Sequence, residues 1–245
     1  MAQTAAQPGI CEYCGDTFTK RGMTRHLMSC PARKKALDAA AHDKPIDWYV
    51  QMRVEAEGLE ASYWMDLELR ASGTMRSLDN YLRKHWLECC GHLSHFQYGP
   101  IWHGEPIAKG RRVGPAIPFD LPFYHIYDYG ETSICTLRAI RVYRAPRRTR
   151  NIVKLLAQNV PPVFPCMVCG EPATQFCTEC RHEHHKSGML CDRHAAEHSH
   201  RNYGPLRPIV NSPRLAMCGY VAPGLFLLWD PQGPPDQRLT IGPAP

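Results

Sequence analysis

The chemistry legible in this sequence sits in its cysteines and histidines, 12 and 13 of them in 245 residues. Near the N-terminus Cys11 and Cys14 form a C-x2-C pair, and His26 and Cys30 follow as H-x3-C. Phe18 and Met23 lie between the pairs as an aromatic and an aliphatic core residue. This is the layout of a ββα zinc finger. A helical i, i+4 step puts His26 and Cys30 on one face, opposite the knuckle. So short a module buries too little surface to fold alone, so the metal supplies the missing stability. Four protein ligands close the tetrahedron and leave no water position, so the expected role is structural.

Four further pairs follow: Cys166-x2-Cys169, Cys177-x2-Cys180, Cys191-x2-His194 and His198-x-His200. Eight ligands suit two tetrahedral zincs in a cross-brace, and the pair order resembles B-box-type fingers. One metal then takes Cys166, Cys169, Cys191 and His194. The other takes Cys177, Cys180, His198 and His200. His182, His184 and His185 compete for the places of His198 or His200. The expectation is three Zn2+ per chain. Residues 1–8 lack a basic segment followed by an apolar one, so no secretory signal is visible. That favours a cytoplasmic, reducing setting, where paired cysteines bind metal more often than each other. Cys89, Cys90, Cys135 and Cys218 have no C-x2-C partner. Cys89 and Cys90 are read as core packing.

The formal net charge is +6. With eight thiolates and three zincs it falls to about +4. Its distribution says more. Six bases and no acid lie between Thr17 and Leu37, and seven bases and no acid between Thr132 and Gly170. Between them, Glu55, Glu57, Glu60, Asp66 and Glu68 form a base-free stretch. Acid-free basic stretches beside zinc modules point to nucleic acid, with Lys20, Arg21, Arg25, Arg147, Arg148 and Arg150 as anchors. Counting back from His26 as in DNA-reading fingers puts Thr19, Arg21, Gly22 and Arg25 toward a groove. The rival partner is a protein, since lone fingers and B-box-like modules also serve as adaptors. No apolar run reaches the ~18 residues of a membrane span, and no small-molecule cofactor motif is evident.

These sites need elements to hold them. The zinc finger covers residues 9–31, a connector 32–46, a body 47–158, the two-zinc module 160–222, and a Pro/Gly-rich tail 223–245. In the body, Trp48 to Ala56 and Tyr63 to Leu69 alternate apolar and polar residues, a hairpin turning near Gly58. Leu78, Tyr81, Leu82, Trp86, Cys89 and Cys90 then fall at helical spacing, with Asp79 on the polar side, Ser77 as N-cap and Gly91 as stop. Strands are expected at Leu93–Tyr98, Tyr124–Tyr129 and Ser133–Arg144, and a short helix or strand at Ile152–Ala157. The fold class is α+β: a small antiparallel sheet with a helix on one face, flanked by the finger and the cross-brace module.

A third function class is a metal-dependent nuclease built on His92, Ser94, His95, His103, His125 and Asp128. Strand alternation turns His95 away from Ser94 and Asp128 away from His125, and Asp128-Tyr129-Gly130 reads as a turn. A non-enzymatic role is the stronger expectation.

The segments NYLRKHWLECCGHLSHF (80–96), YDYGETS (127–133), LLAQNVPPVFPCMVC (155–169) and NSPRLAMCGY (211–220) resemble the plasmid pRi Orf-3-like family, also called insertion-element passenger TnpR-like. The resemblance covers about residues 48–222 and leaves the N-terminal finger as an addition. It implies a compact α+β body in a bacterial plasmid or transposable element, and no particular activity. No serine-recombinase pattern accompanies it.

Overall fold

The structure is a computed structural model that describes residues 7–39, 44–229 and 239–243. It divides into two units, residues 1–83 with 93–160, and residues 84–92 with 161–245.

The first unit is built on one antiparallel sheet. Its strands are β1 (Gly9–Cys11), β2 (Thr17–Phe18), β3 (Ile46–Gly58), β4 (Ala61–Arg70), β5 (Ser94–Tyr98), β6 (Glu105–Ile107), β7 (Phe123–Tyr127), β8 (Ser133–Pro146) and β9 (Val153–Asn159). They run in the order β2-β1-β9-β4-β3-β8-β7-β5-β6. Nine strands make a large sheet, not the small one expected. The expected hairpin is β3–β4, closed by Leu59 and Glu60 with Gly58 opposite Ala61.

Two helices, α1 (Lys20–Ser29) and α2 (Pro31–Ala39), follow the first strand pair. The finger is not a separate bead. Its strand β1 pairs with β9, placing Ile10 opposite Gln158 and Cys11 opposite Ala157. The backbone N–H of Glu12 also donates to Leu156 O at 2.9 Å. Cys11, Met23, Leu27 and Cys30 share a core with Trp64, Leu156 and Ala157. Gly9 is required at this junction, because a Cβ there would lie 2.3 Å from the Trp64 ring.

This docking explains why β4 is buried on both faces. Met65, Leu67 and Leu69 make one face, and Trp64, Asp66 and Glu68 the other. Period-2 reasoning assigns only one face to the core. The second is covered by an element distant in sequence, and α2 reaches it through Arg33.

The helix after the hairpin is shorter than expected. Helix α3 (Met75–Leu82) starts after Thr74 rather than Ser77, and a π-type turn (Arg83–Leu87) replaces its second half. Leu78 and Leu82 are buried as the spacing predicts; Met75 is buried too, and so is Asp79, expected on the polar side. Helix α4 (Val113–Ala116) lies in the Gly/Pro-rich stretch and touches β3 and β4.

The second unit contains β10 (Gln175–Phe176), α5 (Thr178–His182), β11 (Met189–Leu190), α6 (Asp192–Ala196) and β12 (Arg207–Pro208). Strands β11-β10-β12 form a small sheet. The segment read as a tail contains two strands, β14 (Leu225–Trp229) and β15 (Leu239–Pro243), which with β13 (Tyr220–Ala222) make a second antiparallel sheet. Residues 230–238, which include the Pro-rich DPQGPPDQ, lie outside the described residues. Among the described residues no helix is long and apolar enough to cross a membrane.

Candidate metal centres

The knuckles are local structures. In CEYCG (11–15) and CMVCG (166–170) the glycine N–H donates to the first cysteine's carbonyl at 2.9 Å. Gly15 and Gly170 take φ +78° and +77°, a left-handed turn that glycine adopts without steric cost. The turn folds each C-x2-C pair so that both sulfurs point to one side. The later ligands are set by short helices. His26 lies on α1, whose N-cap Thr19 accepts from the Gly22 N–H at 3.1 Å. Cys177 caps α5, and its sulfur accepts from the Cys180 N–H at 3.4 Å. Cys191 caps α6, which carries His194.

The structure gathers Cys11, Cys14, His26 and Cys30; Cys166, Cys169, Cys191 and His194; and Cys177, Cys180, His198 and His200. Within each set the ligand atoms lie within 4.8 Å of one another. Cys14 Sγ is 3.3 Å from His26 Nε2. In the second set Cys166 Sγ is 3.5 Å from His194 Nδ1, and Cys169 Sγ 3.8 Å from Cys191 Sγ. In the third, Cys180 Sγ is 3.5 Å from His198 Nε2 and 3.2 Å from His200 Nδ1. The pairs alternate as in a cross-brace. Of the competing histidines, His182 stacks on Tyr203, while His184 stacks on His200 and joins it with Glu179 in a further group.

The electrostatics favour a cation. Burial pushes the Cys14 thiol up to about 12 and, with Cys177 beside it, Cys180 to about 11. Burial also opposes ionisation of Cys166, but the N–H groups of Cys191, Val168 and Cys169 outweigh it and bring that thiol down to about 6. Sulfurs this close repel one another's ionisation, and a central divalent cation reverses the balance.

The six basic anchors have unequal fates. Lys20 pairs with Glu55, and Arg147 donates to Asp47 at 2.7 Å. Arg148 is largely buried against Glu68. Arg21, Arg25 and Arg150 are exposed. A shallow groove beside α1 is lined by Lys20, Arg21, Thr24, Arg25, Met28 and Arg53, with no acidic residue. The acidic stretch is not a free face. Arg53 grips Asp66 with two bonds of 2.8 and 2.7 Å, and Arg33 donates to Glu68 at 3.1 Å.

The catalytic candidates do not gather into one site: Ser94 and His125 meet at Asp79, while His95 and Asp128 lie apart from them. His125 is fully buried, and its Nε2 donates to Asp79 Oδ1 at 2.8 Å. Ser94 Oγ donates to the same carboxylate at 2.7 Å, and so does Lys109 Nζ at 2.7 Å. Burial opposes the Asp79 charge, but these three donors hold its carboxyl well below the usual range. Burial also holds His125 neutral against the pull of Asp79. The charge pair is therefore Asp79 with Lys109, and His125 is a neutral donor. His95 instead bonds Tyr129 Oη and Gln97, at 2.8 and 3.0 Å. His103 is exposed, and Asp128 (φ 64°) accepts from the Gly130 N–H at 2.9 Å in a turn. The network secures α3 to β5 and β7.

Spacing did not announce a fourth gathering of the same residue types, Cys89, Cys90, His92 and Cys218 in the second unit. Cys90, read as core, is exposed.

No family model matches the chain. No curated protein matches it either. A solved structure of a protein of unknown function, MM3350 from Methanosarcina mazei Go1, is similar at 11% identity with a TM-score of 0.36, covering 45% of this chain and 67% of that one. A likeness at that level carries no argument.

Proposed function

We propose that this is a zinc-stabilised, non-enzymatic protein that binds nucleic acid through the exposed face of α1. The observation that carries the reading is the acid-free groove around Arg21 and Arg25 on a helix held by a Cys/His cluster. Arg21 and Arg25, one helical turn apart, sit where phosphates would be met. Three zincs suit the donor sets: thiolates and imidazoles are zinc's preferred ligands, and the ligand separations approach tetrahedral edges. Each ion cross-links its pairs and holds the local fold. The likeness of residues 48–222 to plasmid Orf-3-like proteins favours a role in a bacterial mobile element.

A gel shift with the zinc-loaded protein across a salt series tests this. Counterion release makes affinity fall with salt. No retarded species at low salt, or a shift unchanged by Arg21→Ala with Arg25→Ala, would sink the reading.

One observation favours a protein partner instead. Ile46, Trp48, Phe119 and Val142 are exposed, and they line one groove with Val50 and Pro115. A stoichiometric protein partner that survives nuclease treatment and is lost on Trp48→Ala would favour the adaptor.

A further inference from the structure

We infer that Cys89, Cys90, His92 and Cys218 form a fourth metal site, for a divalent cation of the zinc type. The ligand atoms already stand near a tetrahedron. Cys89 Sγ is 3.5 Å from Cys90 Sγ, and Cys90 Sγ is 3.6 Å from Cys218 Sγ. His92 Nε2 is 2.9 Å from Cys90 Sγ and 3.4 Å from Cys218 Sγ. Zinc–sulfur and zinc–nitrogen bonds of ordinary length imply edges of about 3.8 Å (S to S) and about 3.5 Å (S to N). All four atoms lie within 4.8 Å of one another, as in the three sets above.

The surroundings fit a thiolate cluster. Three thiolates and one divalent cation leave a net negative charge in a partly buried place. Arg214 supplies the opposite charge. It is 0% exposed, and its Nη2 donates toward Cys89 Sγ at 3.5 Å. A buried guanidinium aimed at a sulfur is the kind of outer partner that holds a metal-bound thiolate. Ser212 Oγ donates to Trp86 O at 2.7 Å and ties the same two stretches of chain beside the cluster.

The site has a structural purpose. Cys90 and Cys218 are 128 residues apart in sequence. Both belong to the second unit, Cys90 in its short stretch 84–92 and Cys218 in its main stretch 161–245. A metal bound by both stretches closes that long loop and secures residues 84–92 to the rest of the unit. Four protein ligands leave no open position, so the site binds metal without activating water.

Native mass spectrometry of the full chain, zinc-loaded and desalted, tests the assignment. One more zinc is expected in the wild type than in Cys218→Ser, four against three if the other sites fill. Equal counts would overturn the fourth site whatever the total, while Cys14→Ser, Cys169→Ser and Cys180→Ser read the other three separately. A wild-type measurement covers the case in which Cys218→Ser misfolds. Cys90, the exposed ligand, should resist alkylation with zinc present and react once a chelator removes it. Equal reactivity in both conditions, or a Cys89–Cys90 disulfide in protein prepared under reductant, would overturn the site.

Discussion

Arg33 and Glu68, 35 residues apart, meet at 3.1 Å in a place where neither is more than 3% exposed. Arg33 also donates to Leu27 O and to Tyr143 Oη, each at 2.6 Å. Glu68 accepts in addition from Tyr143 and Arg148. One buried carboxylate thus joins the helix after the finger, the central hairpin and the segment after β8. Three regions that look electrostatically segregated in sequence neutralise one another here.

Removing the shared partner should be costly. Glu68→Ala leaves Arg33 and Arg148 without their carboxylate, and breaking such a buried pair costs about 3–5 kcal/mol. Urea unfolding in excess zinc should show that loss. Arg33→Met should cost less, because Glu68 keeps Arg148, and the double variant should fall well short of the sum. Additive losses would mean that the three groups do not act as one network.

Finger and sheet should melt together. Trp64 packs on the finger core. His26→Ala should therefore remove one metal and shift tryptophan emission to the red, a shift that disappears in Trp64→Phe. An unchanged emission would show that β1 and β9 remain docked without the metal.

His125 should give stability a pH dependence of known sign. Burial lowers its folded pKa, so the unfolded chain binds the proton first. Its contribution is complete above the unfolded value of about 6.5 and declines as pH falls below it, by at most about 1.4 kcal/mol per pH unit. Between about pH 7.5 and 5.5 the wild type should lose more stability than His125→Gln. Taking the difference between the two proteins cancels the zinc ligands, which titrate in both. Parallel curves would contradict the neutral, buried assignment.

The basic residues should divide into two groups. Arg21→Ala with Arg25→Ala should weaken nucleic-acid binding and reduce the salt slope by about two. Arg148→Ala should lower stability instead, because its guanidinium serves Glu68. If Arg148→Ala alone changes the salt slope with stability intact, the contact surface lies elsewhere.

The three Cys/His groupings were legible from the sequence because such spacings have a local grammar. A C-x2-C knuckle needs one tight turn, a helix brings i and i+4 to one face, and neither depends on distant chain. The hairpin was legible for a similar reason, its strands being adjacent and their alternation regular. Charge, the second face of β4 and the last cluster were not. Lys20 finds Glu55 and Arg148 finds Glu68 only because β9 returns between β4 and β1, a strand order that no local pattern encodes. Cys218 reaches Cys90 across 128 residues within the second unit, a meeting that no local spacing encodes either. Local geometry is written in residue spacing. Which distant side chains meet is decided by how strands and loops pack, and that packing turned an apparently segregated charge pattern into internal pairs and four unpaired-looking residues into a cluster.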